Sequence, residues 1–136
     1  MGQQQILFLI LGVCMVGIAV SVGVIAVQNY DVTDHREVLI TKMYDLAARA
    51  QTYYRTPADK GGGGGSFLLL NLMPQGIERL TKKPPTLHGD FFIKKTGYST
   101  CTQIVGAGLE RGRDPRYPVR VMMTVWAEST VVSILN

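Results

Sequence analysis

The chain has 136 residues and a formal charge of +4, from 14 Lys plus Arg against 10 Asp plus Glu. That length holds one small domain and no more. Two cysteines, with no CxxC or CxxCH, exclude an intrachain disulfide framework, a paired-cysteine zinc site and covalent haem.

Met1 to Tyr30 carries no charged side chain, and inside it Ile6 to Val27 is one apolar run of 22 residues. As a helix this run spans roughly 33 Å, close to the ~30 Å hydrocarbon core of a bilayer. A cleaved secretory signal is not the expectation, because Gln3, Gln4 and Gln5 are neutral where a basic region belongs and the run exceeds the usual apolar core. Small residues recur along it, and Gly17 with Ser21 and Ala19 with Gly23 have the spacing that lets helix backbones approach closely in apolar surroundings. The bulk of the chain follows Tyr30 and is expected to be exported.

From Val32 the apolar positions Leu39, Met43, Leu46, Ala50 and Tyr53 continue at helical spacing. Asp34 and Glu37 could form a capping box that restarts the helix, but no Gly or Pro interrupts here, so one continuous helix from about Gln3 to about Arg55 is predicted. Pro57 and the five glycines Gly61 to Gly65 end it. Such a glycine run before Ser66 has the composition of a flexible linker. It is read here as a loop of the fold, because the helical stripe needs the rest of the chain to cover it.

Phe67 to Leu72 reads as a turn or brief strand and Gln75 to Leu80 as one or two helical turns, before a break at Lys82-Lys83-Pro84-Pro85. The texture then alternates, predicting strands at Asp90 to Lys95, Thr100 to Gly106, Val119 to Ala127 and Thr130 to Leu135, in an antiparallel meander. Val119, Val121, Met123 and Val125 should face the helix. The expected fold is α+β: an apolar helix (1–30) projecting from an amphipathic helix (31–56), a Gly-rich connection (57–89) and a four-stranded antiparallel head (90–136).

This layout resembles the type IV pilin family, in Gly2 and the following Gln3 to Val27 and in the helix ending Arg49-Ala50-Gln51-Thr52-Tyr53-Tyr54. The resemblance implies a precursor held in the inner membrane, cut by a prepilin peptidase, and drawn by pilus assembly machinery into a cell-surface homopolymer. It implies that Ile6, Leu9, Gly12, Val13, Gly17, Ala19, Ser21 and Gly23 pack the filament core and that Gln3, Gln4 and Gln5 set the register. Two departures stand out: no basic leader is seen, and the usual glutamate at mature position five is Gln5 or Leu7, depending on the cleavage point. Gln5 can accept a hydrogen bond from an incoming amine, weaker than a charge-assisted one. A membrane-anchored binding domain and a pseudopilin of a secretion system are the alternatives.

Candidates for chemistry are few, and neither an enzyme nor a cofactor is expected. His35 and His88 are far apart and read as surface residues; Cys101 reads as a buried small side chain and Cys14 lies too far away to pair with it. The glycine run lacks the Lys-Ser/Thr of a phosphate loop, and Asp90, Glu110 and Asp114 lack EF-hand spacing. Tyr30, Tyr44, Tyr53 and Tyr54 are expected to pack. Arg111, Arg113, Arg116 and Arg120, joined by Tyr117, could grip DNA phosphates; the plainer reading is salt bridges to acidic side chains of a neighbouring copy.

Overall fold

The computed structural model describes residues 2–73, 76–82, 89–112, 114 and 116–136, with Glu110 described through its backbone alone. Helix α1 runs from Gly2 to Arg55 as one 54-residue element. It passes Asp34 without a break, as the absence of Gly and Pro there predicts. Its second half buries Leu39, Met43, Leu46, Ala47, Ala50 and Tyr53, one face at helical spacing, while Val32 is half-buried at the edge.

That face lies on a four-stranded antiparallel sheet in the sequential order β1 (Gly89–Ile93), β2 (Cys101–Arg111), β3 (Pro118–Trp126) and β4 (Thr130–Ile134). Val119, Val121, Met123 and Val125 are fully buried against the helix as predicted, and Arg120 and Trp126 alternate outward. Strand β2 corrects the sequence reading, which ended it at Gly106. It continues to Arg111, with an irregular register between Ala107 and Arg111. Glycine here marks a close approach: a Cβ on Gly106 would sit 3.1 Å from the Met43 sulfur and 3.1 Å from the Phe91 ring.

Between helix and sheet, Phe67 to Leu72 is also corrected: it forms a short helix, α2 (Leu68–Leu72). Phe67, Leu70 and Asn71 are the buried residues, at i, i+3 and i+4, a spacing that only a helical turn turns inward. A second short helix, α3 (Gly76–Leu80), falls where helical turns are predicted. Gln75 and the break at Lys83-Pro84-Pro85 lie outside the described residues.

Asn71 joins this segment to the sheet. Its side-chain amide donates to the Tyr98 carbonyl at 2.6 Å and to the Cys101 carbonyl at 2.8 Å, from a position 1% exposed. Asn71→Leu keeps the volume but strips both carbonyls of their donor, at about 1–3 kcal/mol each for a group left unpaired. The expected result is a melting temperature lowered by roughly 10–50 °C, checked by thermal unfolding of the full chain in detergent.

The glycine run is a structured cap. The N–H groups of Gly63, Gly64 and Gly65 donate to the carbonyls of Tyr53, Thr56 and Tyr54, at 2.8, 2.9 and 2.9 Å. These are the carbonyls that a helix end leaves without partners. The loop folds back so tightly that a Cβ on Gly62 would collide with the Thr56 carbonyl oxygen. Side-chain-free backbone is therefore a requirement of this turn, and the run belongs to the head's hydrogen bonding.

Candidate functional site

The first half of α1 projects from the head with none of the other described residues packed on it. From Ile6 to Val27 every large apolar side chain is between 52% and 68% exposed, and the most apolar 18-residue stretch buries none of its residues. This helix is long and apolar enough to cross a membrane. At about 1.5–3 kcal/mol for each large apolar side chain, leaving it in water would cost on the order of tens of kcal/mol. The exposed surface is therefore one made to be covered by lipid or protein.

The small residues give that surface a shape. At about 100° per residue, Gly12, Ala19 and Gly23 project within roughly 20° of one direction, and Gly17 and Ser21 lie about 140–180° away from it. Two shallow strips thus run down opposite sides of the stem, and at Gly12, Gly17 and Gly23 an added Cβ would meet nothing within 4 Å. The Ser21 hydroxyl donates to the Gly17 carbonyl at 2.8 Å, so this polar group is satisfied within its own helix and brings no unpaired donor to an apolar contact. Ile6, Leu9 and Val13 lie exposed on the same stem. Gln3, Gln4 and Gln5 are exposed in its first turn, with their side chains free for a neighbour.

The basic cluster is only partly gathered. Arg111 ends β2, Arg116 sits in the following turn and Arg120 is on β3, all three exposed; Arg113 lies outside the described residues. The turn is organised by Asn136, whose carboxamide accepts from the Asp114 N–H at 3.0 Å and donates to the Tyr117 carbonyl at 3.0 Å. The Asp114 carboxylate accepts the Arg116 N–H at 3.1 Å.

Several single residues depart from expectation. Cys101 is half-buried, because it opens an edge of β2, and Cys14 is exposed on the stem; both are free thiols. His35 is half-buried on α1, and His88 lies outside the described residues. Of the tyrosines, Tyr53 is buried and Tyr54 packs on Phe67 with ring centroids 4.7 Å apart, whereas Tyr30 and Tyr44 are 80% and 51% exposed. Those two face away from the sheet, Tyr30 because it precedes the covered half of the helix. Among the described residues no group of three or more His, Cys, Asp or Glu side chains could hold a metal ion.

One apolar surface escaped the sequence reading. Leu68, Leu69, Leu72 and Met73 line the outer side of α2 and its end, each well exposed. The unbroken apolarity of Phe67 to Leu70 was the available signal, since a helix this short cannot bury both of its sides. No known protein family, curated protein or solved structure matches the chain.

Proposed function

We propose that this chain is the structural subunit of an extracellular type IV pilus-like helical filament, non-enzymatic and built by bundling of its apolar stems. The observation that carries the reading is the pair of small-residue strips on opposite sides of a fully exposed stem. A simple anchor needs only apolar length, and a dimer needs one close-packing side. A helix with neighbours on both sides needs two, which is the condition of a strand inside a polymer. In this reading the stem resides in the inner membrane before assembly, processed by a prepilin peptidase and extracted by pilus machinery. Gln3 to Gln5 then set the axial register through hydrogen bonds.

The head's part is to stay folded on one side of the stem while presenting surfaces to neighbouring heads. The exposed side of α2 and the arginines at the β2–β3 turn are such surfaces. Mechanical shearing of cells that make the chain tests the reading. Long fibres of this subunit should appear in the sheared supernatant under the electron microscope. Retention of the whole population in the membrane fraction would overturn it in favour of a single-pass anchored domain, and short periplasmic stubs would favour a pseudopilin.

A further inference from the structure

At the end of the head opposite the stem, the last turns of α1, the glycine loop and α3 border an open pocket of about 250 Å³. Three cations line it: Arg49 from α1, Lys60 from the turn before the glycines, and Arg79 from α3. No carboxylate is among the described residues that line it. Its wall includes Tyr53 and Leu80, both buried, so the cations stand over a fixed floor.

Both guanidinium groups are exposed and have hydrogen-bond partners at the pocket. Arg49 donates through Nε to Asp45 at 3.1 Å and through a terminal nitrogen to the Leu80 carbonyl at 3.3 Å. Arg79 donates to the Tyr53 hydroxyl at 3.4 Å. Each guanidinium carries five N–H donors, so these bonds orient its plane and leave most of its donors over. Asp45 offsets one of the three charges, at a site more than half exposed where screening weakens the pairing.

Cations often gather at a helix C-terminus simply to satisfy its free carbonyls. At the end of α1 that duty falls to backbone, and of the three cations only Arg49 takes it up, for the Leu80 carbonyl at the end of α3. Gly63, Gly64 and Gly65 already bond the Tyr53, Thr56 and Tyr54 carbonyls, and the Thr56 N–H bonds that of Thr52 at 3.0 Å. Arg79, moreover, comes from a different helix. A concave site lined by three exposed cations, two of them oriented by hydrogen bonds, with no carboxylate among its described lining residues, suits an oxyanion of high charge density.

We propose that the Arg49–Lys60–Arg79 pocket is a binding site for the phosphate group of a small molecule, either inorganic phosphate or a phosphomonoester. The tetrahedral dianion accepts from both guanidinium planes while the Lys60 ammonium supplies a mobile third donor. A monovalent carboxylate satisfies fewer of these donors and binds more weakly. Monomers carry the pocket whether or not they assemble, so the test is independent of the filament reading.

The full chain, held as a monomer in an uncharged maltoside detergent at pH 7 and constant ionic strength, is titrated calorimetrically with inorganic phosphate, glycerol phosphate and acetate. Saturable phosphate binding at one per chain is expected, with acetate at least tenfold weaker. Glycerol phosphate binding as tightly as phosphate or better identifies an ester as the occupant. Weaker glycerol phosphate binding identifies the free ion. Lys60→Gln and Arg79→Gln should each weaken phosphate binding at least fivefold, whereas Lys95→Gln and Arg120→Gln, outside the pocket, should change it less than twofold. The Lys60 side chain makes no hydrogen bond among the described residues, so that variant keeps its fold if Arg79→Gln does not. Absence of saturation, equal binding of acetate, or equal losses in pocket and control variants overturns the proposal.

Discussion

Gly17→Asp is expected to abolish filaments while the head remains folded. Among the described residues, nothing beyond the helix's own backbone lies within 4 Å of a Cβ at this position, so the substitution touches no head contact. Its whole effect falls on what packs against the stem. In a bilayer an aspartate near the centre of a helix costs about 2.5–3.5 kcal/mol. Between packed apolar helices, with no cation on any stem residue to pair it, the cost rises further. Two controls separate assembly from insertion. The variant is first quantified in the membrane fraction, and Gly17→Leu, which inserts at least as readily as glycine, is examined beside it. If close backbone approach builds the filament, Gly17→Leu also loses fibres although it adds no charge. Normal fibres from Gly17→Asp would sink the filament reading.

Phe67→Ala is expected to cost the head about 3–5 kcal/mol, the range for deleting a buried phenyl ring. Phe67 is fully buried and its ring packs on Tyr54 near the end of α1. Its N–H donates to the Ser99 carbonyl at 2.9 Å, tying α2 to the approach to β2. The ring therefore sits where the helix, the glycine loop and the sheet meet, and its loss leaves a cavity that none of the three can close alone. Trp126 is the chain's only tryptophan and lies on β3, so its fluorescence reports the unfolding of the head without a contribution from the stem. A fall of tens of degrees in that transition is expected, at roughly 4–8 °C per kcal/mol. The helical signal of the detergent-covered stem should persist above it. A shift of only a few degrees would show that the three elements do not depend on this ring.

What the sequence made legible was whatever a single periodicity could carry. The stem announces itself by the absence of charge from Met1 to Tyr30, the second half of α1 by its stripe from Leu39 to Tyr53, and β3 by strict alternation from Val119 to Val125. Strands β1, β3 and β4 fall within about two residues of their predicted bounds. The misreadings all involve residues whose meaning is set by tertiary contact. Gly106 looks like a strand end and is instead the place where Met43 presses on the sheet. Phe67 to Leu72 has no polar residue before Asn71 to reveal its period, and only the inward turn of Phe67, Leu70 and Asn71 shows that it is helical. Five glycines in a row carry no pattern at all, so their role as a helix cap depends on where the Tyr53, Tyr54 and Thr56 carbonyls point. The basic pocket was illegible for a simpler reason: Arg49, Lys60 and Arg79 are spread over thirty residues and meet only because α1 and α3 end side by side.

The unbroken course of α1 through residues 28–33 has a mechanical consequence. A 54-residue helix is a strut of roughly 80 Å, and here the rod that leaves the head is also the rod that forms one wall of the head's core. Tension between stem and head travels along the strut through its peptide bonds and axial hydrogen bonds in series, with no hinge to absorb it. The sheet is loaded in shear along the Leu39 to Tyr53 contact, where buried side chains share the force. A pull on one end of the molecule is thus delivered to the other as displacement, and the head tilts with its stem as one lever.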